Sequence, residues 1–196
     1  QLKVAAAMLL TLRGTPFLYQ GEEIGMRNIH VSRAEMQDPL GKYYWPIPVG
    51  RDGCRSPMQW NASEHGGFTT GKPWLKVHKN TRTRNVEAQK ANPKSLFNFY
   101  KTLLKIRKEH TVLQKGMFIP LHHNPQRVLA YLRQDSEQVI LVALNFARRP
   151  SKLAVGGELV RHQWEVLLSN YDRGGKIFEK GWLKLQGYEA CILIQK

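Results

Sequence analysis

From residue 21 to about residue 91 the chain carries neither the 3.6-residue period of a helix nor the alternation of a strand, and this stretch constrains the fold most. It is rich in Gly and Pro, yet it holds Trp45, Trp60 and Trp74. Disordered segments are poor in aromatic residues, so the tryptophans argue for an ordered loop. A structureless loop of this length is rare in a compact domain, and one rich in aromatics usually carries function on a scaffold.

The flanks supply that scaffold. Residues 2–12 (LKVAAAMLLTL) are strong helix formers. Gly14 stands in the usual place of a helix stop, with Pro16 just beyond. Phe17-Leu18-Tyr19 then reads as a short buried parallel strand. Helix, turn and buried strand form the αβ step of an α/β fold. On the other side, the spacing of Leu96, Phe99, Tyr100, Leu103 and Leu104 predicts an amphipathic helix over 92–110. Asn92 is its expected N-cap and Pro93 its first residue. Lys94, Lys101, Lys105 and Lys108 fall mostly on the opposite, solvated face.

After Val112 the pattern changes. Strands are predicted at 117–122, 127–134, 138–146, 151–155, 163–169, 182–186 and 188–194. Asn124-Pro125, Asp135-Ser136, Gly156-Gly157 and Arg173-Gly174-Gly175 mark turns between them. Short strands at this spacing indicate an antiparallel sandwich. The fold class is thus α/β plus all-β. Residues 1–112 are expected to form an α/β portion and residues 113–196 a small β-domain.

Charge and cysteine content narrow the function classes. Thirty basic against fifteen acidic residues give a net charge of +15. The excess is dispersed: 18 basic and 8 acidic residues lie in 1–112, and 12 and 7 in the remainder. Dispersed charge attracts nucleic acid weakly and without selectivity, so no specific nucleic-acid partner is expected. No apolar run reaches membrane-spanning length, and no membrane partner is expected. Cys54 and Cys191 lie far apart, with no CxxC and no His/Cys cluster, so no metal or cofactor is expected. Two free thiols suit a reducing compartment, and a cytoplasmic location follows. His122-His123 is an isolated pair beside a turn and reads as surface. The chain starts at Gln1, inside an apparent helix and without a signal-peptide pattern, which suggests a fragment.

The densest candidate chemistry is DPLGKYYWPIPVGRDGCRSPMQW at residues 38–60. Arg51 and Arg55 are four apart with Asp52 between them, and Tyr43, Tyr44, Trp45 and Trp60 flank them. An arginine fork matches a carboxylate or two adjacent hydroxyls, and aromatic rings offer a flat apolar face. Such a wall suits a sugar. It also suits stacked bases and phosphates, and a purely structural arginine pair bracing a loop is equally consistent with the residues alone. Glu22 and Glu23, just after the short apolar run, read as carboxylates at a helix start rather than an acid/base pair.

Several motifs in order resemble one family. GTPFLYQGEEIGM at 14–26 resembles the segment around the eighth barrel strand of glycoside hydrolase family 13, the α-amylase family. GRDGCRSPMQW at 50–60 resembles the arginine-containing loop of its α-glucosidase and oligo-1,6-glucosidase branch. NVEAQ at 85–89 and GYEACILI at 187–194 fit the same branch. Ser56 and Asn61 stand where that branch commonly has Thr and Asp.

The resemblance implies the last part of a (β/α)8 barrel, from its seventh helix through its eighth strand, long eighth loop and eighth helix, and then a C-terminal antiparallel β-domain. It implies the C-terminal fragment of a retaining α-glucosidase that acts on short oligosaccharides at the non-reducing end. Arg55 would help hold the terminal glucose, and Arg51 would line the neighbouring aglycone side. Retention needs two carboxyl groups, a nucleophile and an acid/base. In this family they lie on earlier strands, so no catalytic residue is assigned here; Glu22, Glu23 and Asp52 do not match them. The partners implied are an oligosaccharide substrate and the missing N-terminal portion of the barrel, and the fragment alone is expected to be inactive. Trehalose synthase and sucrose isomerase chemistry within the family, and a non-catalytic carbohydrate-binding or interaction module, remain alternatives.

Overall fold

The computed structural model describes residues 1–121, 127–174 and 177–196. His122-His123, the Asn124-Pro125 turn and Gly175 lie outside the described residues. The chain divides into two compact units, residues 1–17 with 99–196, and residues 18–98.

The first unit is built around a five-stranded antiparallel sheet. Strands β1 (Met117–Pro120), β2 (Val128–Gln134), β3 (Val139–Asn145), β4 (Ser151–Ala154), β5 (Trp164–Ser169), β6 (Trp182–Leu185) and β7 (Ala190–Gln195) follow the expected spacing. They pair in the order β1-β2-β3-β7-β5, while β4 and β6 form a separate two-stranded ribbon. Alternation sorts the side chains of the large sheet. Ala130, Leu132, Leu141, Ala143, Cys191 and Leu193 share one buried cluster with Leu153, Leu183 and Leu185 of the ribbon. That is the sandwich the sequence predicts, with a small second layer.

The opposite face of the large sheet is covered too. Helix α1 (Leu2–Thr11) lies close to β3 and β7, and Thr11 Oγ1 is 2.5 Å from Tyr131 Oη. Burial on both faces explains why β3 reads VILVALN, an almost unbroken apolar run rather than an alternating one. Burial also pushes the Tyr131 hydroxyl up to about 12, partly offset by its bond to Thr11.

Two arginines join these layers. Helix α1 gives way at Leu12, which is extended, and it has no basic residue in its last turn. Arg107, on α4 (Leu96–Glu109), donates to the carbonyls of Leu10, Leu113 and Gly14 at 2.8, 2.8 and 2.6 Å. Arg133 of β2 is fully buried and donates to those of Thr11, Leu113 and Gly116 at 2.6, 2.7 and 2.9 Å. Neither has a carboxylate partner among the described residues. Their charge faces the negative end of the α1 dipole and takes up its free carbonyls. Burial pulls both below the ordinary arginine range.

Three local expectations are corrected. Leu12 leaves α1 in extended conformation, and the positive φ of 111° at Gly14 serves the following turn. Phe17-Leu18-Tyr19 forms no strand: Phe17 is 85% exposed, because no other described segment runs beside it to supply ladder hydrogen bonds. Asn92 does not start the long helix. It ends a helix the periodicity did not reveal, α3 (Val86–Ala91), and its Oδ1 accepts from Lys94 N. Ser95 Oγ accepts from Asn98 N and occupies the cap position of α4 instead. On α4, Ile106 and Arg107 are buried, whereas Leu104 is 44% exposed. A single turn, α5 (Val112–Lys115), also precedes the first strand.

The second unit, residues 18–98, contains α2 (Pro39–Tyr43), α3 and several 3-10 turns, and no strand among the described residues. Hydrogen bonds from buried and half-buried polar side chains hold it. Gln89 Nε2 donates to Ile24 O at 2.7 Å, while its Oε1 accepts from Phe97 N at 3.1 Å. Asn85 Oδ1 caps α3 through Ala88 N, and its Nδ2 donates to Thr81 O. Arg84 donates to Gly25 O, and Gln59 to Arg84 O. NVEAQ is thus a cap followed by a latch. Gly21 adopts φ 86°, and a Cβ there would strike the Met26 side chain.

Candidate functional site

The arginine turn is held by aspartates. Asp38 precedes Pro39, the first residue of α2, and its Oδ1 accepts from Leu40 N at 3.0 Å. Asp-Pro is a favourable helix start, since the cap oxygen takes a free N–H and Pro has none to lose. The other oxygen, Oδ2, accepts from Arg51 N at 2.8 Å. These backbone bonds, first that of Arg51, hold the Asp38 carboxyl below the ordinary carboxylate range, and the charges of Arg51 and Arg55 add to the effect. Asp52 answers in the other direction. It is buried, and its carboxylate accepts from Gln37 N at 2.7 Å and Asp38 N at 2.9 Å. Two aspartates therefore cross-tie residues 37–40 to residues 51–52.

A second set of bonds fastens the turn to Tyr19, Gln20 and Ile29. Tyr19 Oη donates to Cys54 Sγ at 3.8 Å, and Gln20 Nε2 to Ser56 O at 3.4 Å. Ile29 N donates to Gly53 O at 2.9 Å. The hydrogen bond to Cys54 raises the Tyr19 hydroxyl above its ordinary value.

What is left over is chemically informative. Arg51 is exposed and Arg55 half-buried. Neither guanidinium has a hydrogen bond or ion pair among the described residues. The structure brings both onto one short turn, Asp52–Cys54 with its flanking residues, and commits neither to bracing it. Asp52, read from the sequence only as a spacer, is the brace. The signal for that role was the Asp38-Pro39 pair opposite it. Tyr43 is 81% exposed, and Tyr44, Trp45 and Trp60 are between 40% and 49% exposed. Donor forks and aromatic faces are thus both available to a polar ring-shaped ligand. Glu22 and Glu23 sit in a 3-10 turn between Gly21 and Gly25. Among the described residues no group of three His, Cys, Asp or Glu could hold a metal ion. No described helix is long and apolar enough to cross a membrane. Cys54 and Cys191 are free thiols.

The comparisons with known proteins agree with the motif order. A model of the alpha-amylase catalytic domain matches residues 1–116, and one of the maltogenic amylase C-terminal domain matches residues 118–192. The oligo-1,6-glucosidase of Halalkalibacterium halodurans is 35% identical over 99% of this chain, which covers 37% of that protein. A probable oligo-1,6-glucosidase of Bacillus subtilis is 36% identical over 87% of this chain, which covers 34% of it. A solved isomaltulose synthase variant from Erwinia rhapontici NX5, in complex with D-glucose, superposes with a TM-score of 0.85. It is 29% identical, and the match covers all of this chain and 38% of that one. The chain spans little more than a third of the length of the relatives it matches. On the two domain matches and the ordered motifs together, the chain belongs to the alpha-amylase family, glycoside hydrolase family 13, and carries the end of its catalytic domain with the antiparallel domain that follows.

Proposed function

We propose that this chain is the C-terminal portion of a retaining α-glucosidase that hydrolyses short α-glucosides from the non-reducing end. The observation that carries the reading is the uncommitted arginine pair. Asp38 and Asp52 fix the backbone of the turn, so the forks of Arg51 and Arg55 are spared for a ligand. Arg55, the less exposed of the two, holds the terminal glucose; Arg51 faces the aglycone. An arginine fork can bond adjacent hydroxyls on one ring, which a point charge cannot do.

In this reading residues 1–112 complete the barrel and residues 113–196 form the β-domain. The exposed Phe17–Tyr19 run takes the place of the eighth barrel strand and would pair as one only beside neighbours that belong to the rest of the polypeptide. The nucleophile and acid/base belong there also, because the two carboxylates at the arginine turn, Asp38 and Asp52, are both taken up by backbone N–H groups. The substrate is a short oligosaccharide. The free cysteines favour a cytoplasmic enzyme. Glucosyl transfer or isomerisation of the trehalose synthase or sucrose isomerase kind is the second reading, favoured by the likeness to the isomaltulose synthase.

The test compares this chain with the longer polypeptide that carries it on an aryl α-glucoside, isomaltose and sucrose. The longer protein should release glucose with retained configuration, and the purified chain should give no turnover. Turnover by the chain alone would overturn the assignment of the catalytic carboxyls elsewhere. An isomeric disaccharide as the main product from sucrose would favour the second reading.

A further inference from the structure

One cavity lies apart from Arg51 and Arg55. It lies wholly within residues 18–98 and measures about 950 Å³, within the range of small-molecule sites. Segments 31–37, 62–66 and 72–82 form its walls. Its charge is uneven. Of its two carboxylates, Glu35 is bonded to Ser32 and to Lys76 at 2.9 Å, and Glu64 lies 3.6 Å from His65. Lys72, Lys79 and Arg82 also line it, and none of them has an ion pair among the described residues. Trp74 stands on the same wall with half its surface exposed. His78 Nδ1 accepts from Asn80 N at 3.0 Å, so in the neutral ring Nε2 carries the proton and donates. Asn80 itself, between the cavity residues Lys79 and Thr81, has both amide atoms buried and unpartnered among the described residues.

We propose that this cavity binds a phosphorylated sugar, with Trp74 against the pyranose face and Lys72, Lys79 and Arg82 around the phosphate. Three uncommitted cations in one concave site call for an anion of more than one negative charge, and a phosphomonoester meets this near neutral pH. Trp74 is the only Phe, Tyr or Trp on the wall, so the cavity offers one flat face. A pyranose has one apolar face to stack and a hydroxylated rim to hydrogen-bond, whereas a nucleobase gains most from a slot closed on both sides. The sugar half of the ligand rests on the glycosidase reading; the phosphate half stands on the cavity alone.

The experiment is calorimetric titration of the longer polypeptide that carries this chain. The probes are glucose 6-phosphate, glucose, AMP and inorganic phosphate. Glucose 6-phosphate should bind best. Trp74→Ala and the pair Lys79→Ala/Arg82→Ala should each weaken it at least tenfold. Turnover of an aryl α-glucoside reports folding in the cavity variants and should stay at wild-type level. If wild type lacks that turnover while the titration behaves as stated, the glycosidase reading fails and the cavity assignment stands. Binding lost with Arg55→Ala but kept in the cavity variants would overturn the assignment. So would AMP binding tighter than glucose 6-phosphate, inorganic phosphate binding as tightly as glucose 6-phosphate, or no binding of any probe.

Discussion

Arg133→Ala is the perturbation whose size follows most directly from the structure. The side chain is fully buried and donates to the carbonyls of Thr11, Leu113 and Gly116 at 2.6, 2.7 and 2.9 Å, and through Nε to that of Met117 at 3.4 Å. Truncation leaves the Thr11 and Gly116 oxygens without that donor. Leu113 O keeps Arg107 at 2.8 Å. A buried acceptor left unmade costs about 1–3 kcal/mol, so two cost roughly 2–6. Lost packing of the arginine stem adds to this, and the guanidinium no longer needs to be desolvated, which subtracts. The net expectation is about 3 kcal/mol of stability. Arg133→Lys, with one nitrogen for these acceptors, should lose about half as much. Arg107→Ala combined with Arg133→Ala should cost about 1 kcal/mol more than the sum, because only the double variant strips Leu113 O of both donors. Urea unfolding of the 196-residue chain, followed by far-UV circular dichroism, reads all four values. If Arg133→Ala lies within about 0.5 kcal/mol of wild type, the surface-substitution range, then the claim that it completes the end of α1 is wrong.

Three further outcomes are expected. Asp52→Ala removes the acceptor of two backbone N–H groups, at Gln37 and Asp38, and should cost about 2–4 kcal/mol and lower sugar affinity in the longer enzyme; unchanged affinity would separate the brace from the site. The carboxyl of Glu35 is held down to about 2 from an ordinary 4.5, first by its bonds from Ser32 and then by Lys76. A depressed carboxyl stabilises the fold fully above pH 4.5 and loses that contribution as pH falls toward 2, so urea midpoints of wild type and Glu35→Gln should converge over that window; a constant gap from pH 6 to pH 2 would refute it. Burial pushes the Cys191 thiol up to about 12, so it should resist iodoacetamide in the native chain and react only on unfolding; rapid native labelling at Cys191, read by mass spectrometry, would contradict this.

The legible and illegible parts of the fold differ for physical reasons. The strands were visible because each carries a local apolar pattern between turn residues, and β2, β3 and β7 start and stop within two residues of expectation. The cap of α4 was misplaced because Asn92-Pro93 is an equally good local start. Only the fold decides that Asn92 closes α3 and Ser95 opens α4. Arg107 and Arg133 were illegible as cement, since an arginine in a helix or strand normally marks a solvated face. The one local hint was the bare C-terminus of α1. At the candidate site the short spacing of Arg51 and Arg55 already put both beside one turn, Asp52–Cys54. It could not show that Asp38 and Asp52 hold that turn, because their acceptor bonds span 13 to 15 residues. Gly187 was likewise only part of a motif. In the structure a Cβ there would lie 1.9 Å from Arg148 O, a long-range constraint that composition does not reveal.

The most direct test of the functional account is kcat/KM of the longer enzyme with Arg55 replaced, measured on an aryl α-glucoside. If Arg55 holds the terminal glucose, Arg55→Ala should lose about 2–5 kcal/mol of transition-state stabilisation, on the order of thirty- to several-thousand-fold, with Arg55→Lys intermediate. Arg51→Ala should shift linkage preference more than rate on that substrate. Should Arg55→Ala instead lower the melting temperature while kcat/KM of the folded enzyme stays near wild type, then Arg55 braces the loop and the subsite role is wrong.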